Sequence, residues 1–132
     1  MQRTATIIDK PWGTEEIWAT THHSIGKLLT INPGHRLSRK YHKRKSHTIR
    51  ILEGTLLLEI GPRAEGATIE MRWLEPGMVH HLPSNTIHRF CAGQEVVKIL
   101  ELSLAGPDDS VRLADDYKRI TDIPEPLHQS EK

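Results

Sequence analysis

Cysteine is almost missing from this sequence: Cys91 is the one copy in 132 residues. A single thiol excludes an internal disulfide framework and any zinc site built on two or four cysteines, and it agrees with a reducing compartment. An excess of charge of one sign is missing too, since 18 Lys and Arg stand against 17 Asp and Glu, a formal net charge of +1. A whole-molecule field that would gather nucleic acid is therefore absent, and no nucleic-acid partner is expected. No apolar run approaches the roughly 20 residues needed to span a bilayer. The opening MQRTATIIDKPWG has no apolar signal core. Together these absences point to a cytoplasmic protein without a membrane partner, and the length bounds it to one domain with one modest core.

Helix signals are also scarce. Prolines and glycines break the chain at short intervals, and apolar residues alternate rather than recur at three and four. Short strands are expected at Thr4–Ile8, Glu15–Thr20, Lys27–Ile31, Thr55–Ile60, Thr68–Leu74 and Val96–Leu104. Alternation from His47 places His47, Ile49 and Ile51 on one face, and in the last strand Val97, Ile99, Glu101 and Ser103 on one face. Eight or more strands at turn spacing predict an all-β sandwich or barrel, one domain over residues 1–132 with its core at about 4–104. Residues 107–119 are read as a short helical segment, with a helix over Asp108–Tyr117 capped by Asp108 or Asp109, and 120–132 as a loose tail.

What the chain does have is histidine, in two runs. Gly34–Gly54, GHRLSRKYHKRKSHTIRILEG, carries His42 and His47 among basic side chains; Pro76–Phe90, PGMVHHLPSNTIHRF, carries His80, His81 and His88. Neutral imidazole is the commonest metal ligand, so His42, His47 and His88 on inward strand faces are candidate ligands. His80 and His81 are adjacent, as are His22 and His23, so at most one of each pair faces a cavity. Trp12 and Trp18 are read as packed aromatics, and Cys91 as packed on the strand face opposite His88.

Gly34, Lys40, His42, His47 and Gly54 stand at the spacing of the first cupin motif: glycine, a ligand, histidine, glutamate, glycine. Gly77, Pro83 and His88 stand at that of the second. The chain thus resembles the cupin superfamily. The stretches KPWGTEEIW, PGHRLSRKYH, His88-Arg89 and DDSVRLADDYKR, spanning Lys10 to Arg119, look like the cupin domain of type II mannose-6-phosphate isomerases. The resemblance implies a single-domain cupin (a double-stranded β-helix, or jelly roll) and a divalent transition metal such as Zn, Fe or Ni. It also implies a sugar or sugar phosphate as ligand, with aldose–ketose isomerase activity.

Two departures shape the expected site. Lys40 replaces the usual first ligand, and His47 replaces the glutamate. An ammonium has no lone pair for a metal, which leaves His42, His47 and His88 as the ligand set. Lys40 and Glu101 are then the candidate acid/base groups, and Arg89 and Arg112 the anion holders. Two other functions fit the same residues. One is a non-catalytic module that binds an anionic sugar; the other is an Fe-dependent dioxygenase on three histidines. Metal content separates the first from an enzyme, and oxygen consumption identifies the second. A homodimer is expected, formed by pairing of the β-prone Thr4–Ile8 edge across subunits.

Overall fold

The computed structural model describes residues 4–119. Eleven strands run in order: β1 Thr6–Lys10, β2 Gly13–Thr20, β3 Ser24–Ile31, β4 Arg39–His42, β5 His47–Glu53, β6 Leu56–Pro62, β7 Glu70–Leu74, β8 Val79–Leu82, β9 Thr86–Ala92, β10 Val97–Leu104 and β11 Ser110–Ala114. They form a six-stranded sheet, β1-β2-β3-β10-β5-β8, and a five-stranded sheet, β11-β4-β9-β6-β7. Every pairing is antiparallel. This is a two-sheet jelly roll, and β1 lies at an edge of the larger sheet. No helix among the described residues is long and apolar enough to cross a membrane.

Alternation builds the core. Ile31 on β3, Ile49 and Ile51 on β5, Leu56 and Leu58 on β6, and Val97 and Ile99 on β10 are each 0 % exposed. Full burial of each aliphatic side chain stabilises the fold by roughly 1.5–3 kcal/mol, which makes this slab the main source of cohesion. Trp12 joins it at 3 % exposure, whereas Trp18 is 52 % exposed. Cys91 is buried on the opposite face of β9 from His88, its thiol 3.9 Å from Glu59 Oε2. Burial, with Glu59 beside it, pushes that thiol up to about 11.

The helix expected over Asp108–Tyr117 does not form. Ser110–Ala114 is a strand instead, with Val111 opposite Tyr41 and Arg112 opposite Lys40. The apolar spacing there suits either state. Short β4 leaves one edge of its sheet open, and pairing of β11 satisfies that edge while burying Val111 to 3 % exposure. The core therefore extends past residue 104. The expected tail, 120–132, lies outside the described residues.

Gly34 and Gly54 both adopt left-handed backbone, with φ of 76° and 75°. Their surroundings differ: a Cβ at Gly34 would meet nothing within 4 Å, while one at Gly54 would overlap the Val96 carbonyl oxygen. Gly34→Ala is expected to cost about 1 kcal/mol of stability, the left-handed penalty alone. Gly54→Ala should cost about 3 kcal/mol or more, because the β5–β6 turn must also move off the β9–β10 loop. Urea unfolding of the two variants measures the difference; equal losses would contradict it.

Candidate metal and ligand site

The inward face of each central strand changes character along its length. On β5, Ile51 and Ile49 give way to His47; on β10, Val97 and Ile99 give way to Glu101 and Ser103; on β9, Phe90 gives way to His88. Each strand is apolar at one end and polar at the other, and the polar ends meet in a cavity of about 300 Å³. Lys40 on β4 enters it opposite His88 on one side and Arg112 on the other. The β8–β9 turn is fastened to the end of β4, where the Asn85 N–H donates to the His42 carbonyl at 2.7 Å. Asn85 takes a left-handed φ of 59° to do so, a conformation asparagine tolerates better than most residues.

His42, His47 and His88 converge here as the alternation suggests. Their ring centroids are 4.0 Å (His42–His47), 5.6 Å (His42–His88) and 6.3 Å (His47–His88) apart, and all three are buried. His42 Nδ1 lies 2.9 Å from Asp109 Oδ1, and His88 Nδ1 lies 3.2 Å from the Thr86 carbonyl. A carboxylate and a carbonyl can only accept, so in both rings Nδ1 donates and Nε2 keeps its lone pair. His47 Nδ1 is 3.4 Å from Glu101 Oε2, yet neither of its ring nitrogens makes a hydrogen bond within the protein.

Burial drives the electrostatics. It lowers His42 to about 4, helped by neighbouring His47, and lowers His88 to about 3, helped by Lys40. Both imidazoles are thus neutral and able to coordinate. Burial, reinforced by Arg112, lowers Lys40 to about 8. Burial would raise Glu101, but the His47 ring facing it, with Lys27 behind, outweighs that and holds the carboxyl at about 2. The cavity walls carry six cationic side chains, Lys10, Lys27, Lys40, Lys45, Arg112 and Arg119, against three carboxylates, Glu15, Glu101 and Asp108.

Two sets of side chains could hold a metal ion. His42, Asp108 and Asp109 can each bring a donor atom within 4.8 Å of the others. Their carboxylates are occupied: Asp109 Oδ2 accepts from the Arg44 and Lys45 backbone at 2.6 and 2.9 Å, Asp109 Oδ1 faces His42, and Asp108 Oδ1 accepts from the Ser110 N–H at 2.9 Å. The three imidazoles are the better fit, with two rings oriented by outer acceptors and a third whose buried nitrogens lack a partner.

Arg89 departs from its expected place. It alternates with inward His88 and Phe90, and its guanidinium donates to the Leu37 and Ala114 carbonyls at 2.9 and 3.2 Å. It is 3 % exposed and does not line the cavity, so it ties β9 to its neighbours. His81 is held by Thr48 at 2.9 Å, and His80 lies in a separate cleft with Arg72. His22 and His23 are exposed. Asp109 was expected as a helix cap; its reach to His42, 67 residues away, leaves no periodic trace in the sequence.

Solved structures share the architecture. KdgF from Halomonas sp. superposes with a TM-score of 0.66 at 21 % identity, over 81 % of this chain and 92 % of that one. The capsular polysaccharide assembling protein CapF from Staphylococcus aureus gives 0.73 at 12 % identity over 83 % of this chain, which spans only 32 % of CapF. A sugar phosphate isomerase of the cupin superfamily from Silicibacter pomeroyi gives 0.62 at 16 % identity, over 75 % of this chain and 64 % of that one. Among curated proteins the sequence has no match. The family described as Cupin domain matches residues 27–103, from the middle of β3 almost to the end of β10. That stretch contains all three histidines, Lys40 and Glu101, and with it the chain belongs to the cupin domain family.

Proposed function

We propose that the protein holds a divalent transition metal on His42, His47 and His88 and acts on an anionic sugar in the adjoining cavity. A mannose-6-phosphate isomerase-like aldose–ketose interconversion is the reaction that fits best. The observation that carries this reading is the pairing of three buried imidazoles with cavity walls bearing six cations and three carboxylates. The metal would supply a Lewis acid for the sugar's carbonyl and hydroxyl oxygens. Two of the similar structures, a capsular polysaccharide assembling protein and a sugar phosphate isomerase, are named for carbohydrate work, and this supports the choice of ligand class.

The remaining roles follow from charge and position. Arg112, opposite Lys40 in the β4–β11 register and on the cavity wall, would bind a phosphate or carboxylate oxygen. Aldose–ketose exchange needs a group that takes a proton from one carbon and returns one to its neighbour. Lys40, lowered to about 8, exchanges protons near neutral pH and is the better candidate for that task. Glu101, held at about 2, is too weak a base for it and sets a carboxylate 3.4 Å from the His47 ring.

Lys40→Met is therefore expected to lower kcat for mannose 6-phosphate to fructose 6-phosphate conversion by about 100-fold or more while metal content stays unchanged. Sugar NMR on the metal-loaded protein reads the reaction. If the wild type binds the sugar phosphate and holds metal but never turns it over, the protein is a binding module.

A further inference from the structure

We infer that Asp109 is a positioning residue that fixes the tautomer of His42 and clamps the β4–β5 turn bearing both His42 and His47. The consequence for metal binding rests on the three-histidine reading above; the tautomer itself rests on geometry alone. Asp109 lies in the β10–β11 loop, far from both histidines in sequence. Its Oδ1 meets His42 Nδ1 at 2.9 Å. Its Oδ2 accepts two successive backbone N–H groups of the turn, Arg44 at 2.6 Å and Lys45 at 2.9 Å. Its own carbonyl accepts from the Lys43 N–H at 3.4 Å. The Lys45 ammonium closes the loop from the other side by donating to the Gly106 carbonyl at 2.5 Å.

One carboxylate thus serves two ends. A carboxylate oxygen can only accept, so the His42 nitrogen facing it must carry the proton, and Nε2 is left with the lone pair a metal needs. The other oxygen satisfies the turn between β4 and β5. Loss of the clamp frees that turn, and loss of the charge frees the imidazole to exchange tautomers.

Asp109→Asn separates the two effects. Asparagine has one acceptor oxygen, and the two turn N–H groups claim it. Its NH₂ then faces His42 Nδ1, where two donors cannot meet. His42 should move its proton to Nε2 and lose the coordinating lone pair, with the fold retained. His88 is an internal control, because its Nδ1 faces the Thr86 carbonyl in either protein.

The test is ¹⁵N NMR of the metal-free protein together with Ni²⁺ titration. In the wild type His42 should show a protonated Nδ1 and a bare Nε2; in Asp109→Asn the pattern should reverse, and Ni²⁺ affinity should fall about 10- to 100-fold. A wild type with its proton on Nε2 overturns the inference without any variant being made. So does Asp109→Asn with tautomer and affinity unchanged. Affinity lost with the tautomer unchanged also overturns it, by making Asp109 a ligand. A tautomer that reverses in a protein that never binds Ni²⁺ upholds the positioning role and removes the metal reading.

Discussion

Replacing His88 with alanine is expected to lower the affinity for Ni²⁺ or Zn²⁺ by about 100-fold or more, and His47→Ala by a similar factor. Losing an outer-sphere partner of a metal-bound histidine already costs 10–100-fold, so loss of one of three direct ligands belongs at or above the top of that range. His88 is suited to the role because its Nδ1 is tied to the Thr86 carbonyl and its ring is 5 % exposed. The imidazole meets the ion already oriented and already stripped of water. His23→Ala, on an exposed turn, should leave binding unchanged. Calorimetric titration and metal content after dialysis measure all three. If His47→Ala and His88→Ala both keep full metal, the ion sits elsewhere, with His42, Asp108 and Asp109 as the alternative set.

Acid should destabilise the metal-free protein well before its carboxylates titrate. His42 at about 4 and His88 at about 3 lie below the ordinary 6.5 of an unfolded histidine. Between these values the unfolded chain binds protons that the folded chain refuses, so stability is complete above pH 6.5 and declines as pH falls. From pH 7.5 to pH 5 the two histidines together should cost about 4 kcal/mol, a large share of a typical domain's stability. Lys40, lowered from 10.5 to about 8, adds a change of the same sign in another window, with stability rising between pH 8 and 10.5. Urea midpoints of chelator-treated protein across pH 5–10.5 test both. A flat profile from pH 7.5 to 5 would show that the imidazoles are not held neutral by burial. His88→Gln should remove roughly half of the acid limb, leaving the His42 share, and Lys40→Met should flatten the alkaline one.

Much of this site was open to reading from residues alone. The period of two assigned His47, Ile49 and Ile51 to one face and Val97, Ile99, Glu101 and Ser103 to another, because strand pleating fixes side-chain direction locally. Resemblance to the spacing of the two cupin motifs singled out Lys40, His42, His47 and His88, and the cupin fold with them. Three matters were decided by tertiary structure. The segment Ser110–Ala114 became a strand because β4 offered an unpaired edge, and edge pairing outweighs a weak helical signal. Arg89, next to His88 in the chain, went to the opposite face, and what it meets there, the Leu37 and Ala114 carbonyls, depends on chain brought in from both directions. Asp109 reached His42 because β11 folds back onto β4. A hydrogen bond across 67 residues has no local period, and only the closed topology brings its two ends together.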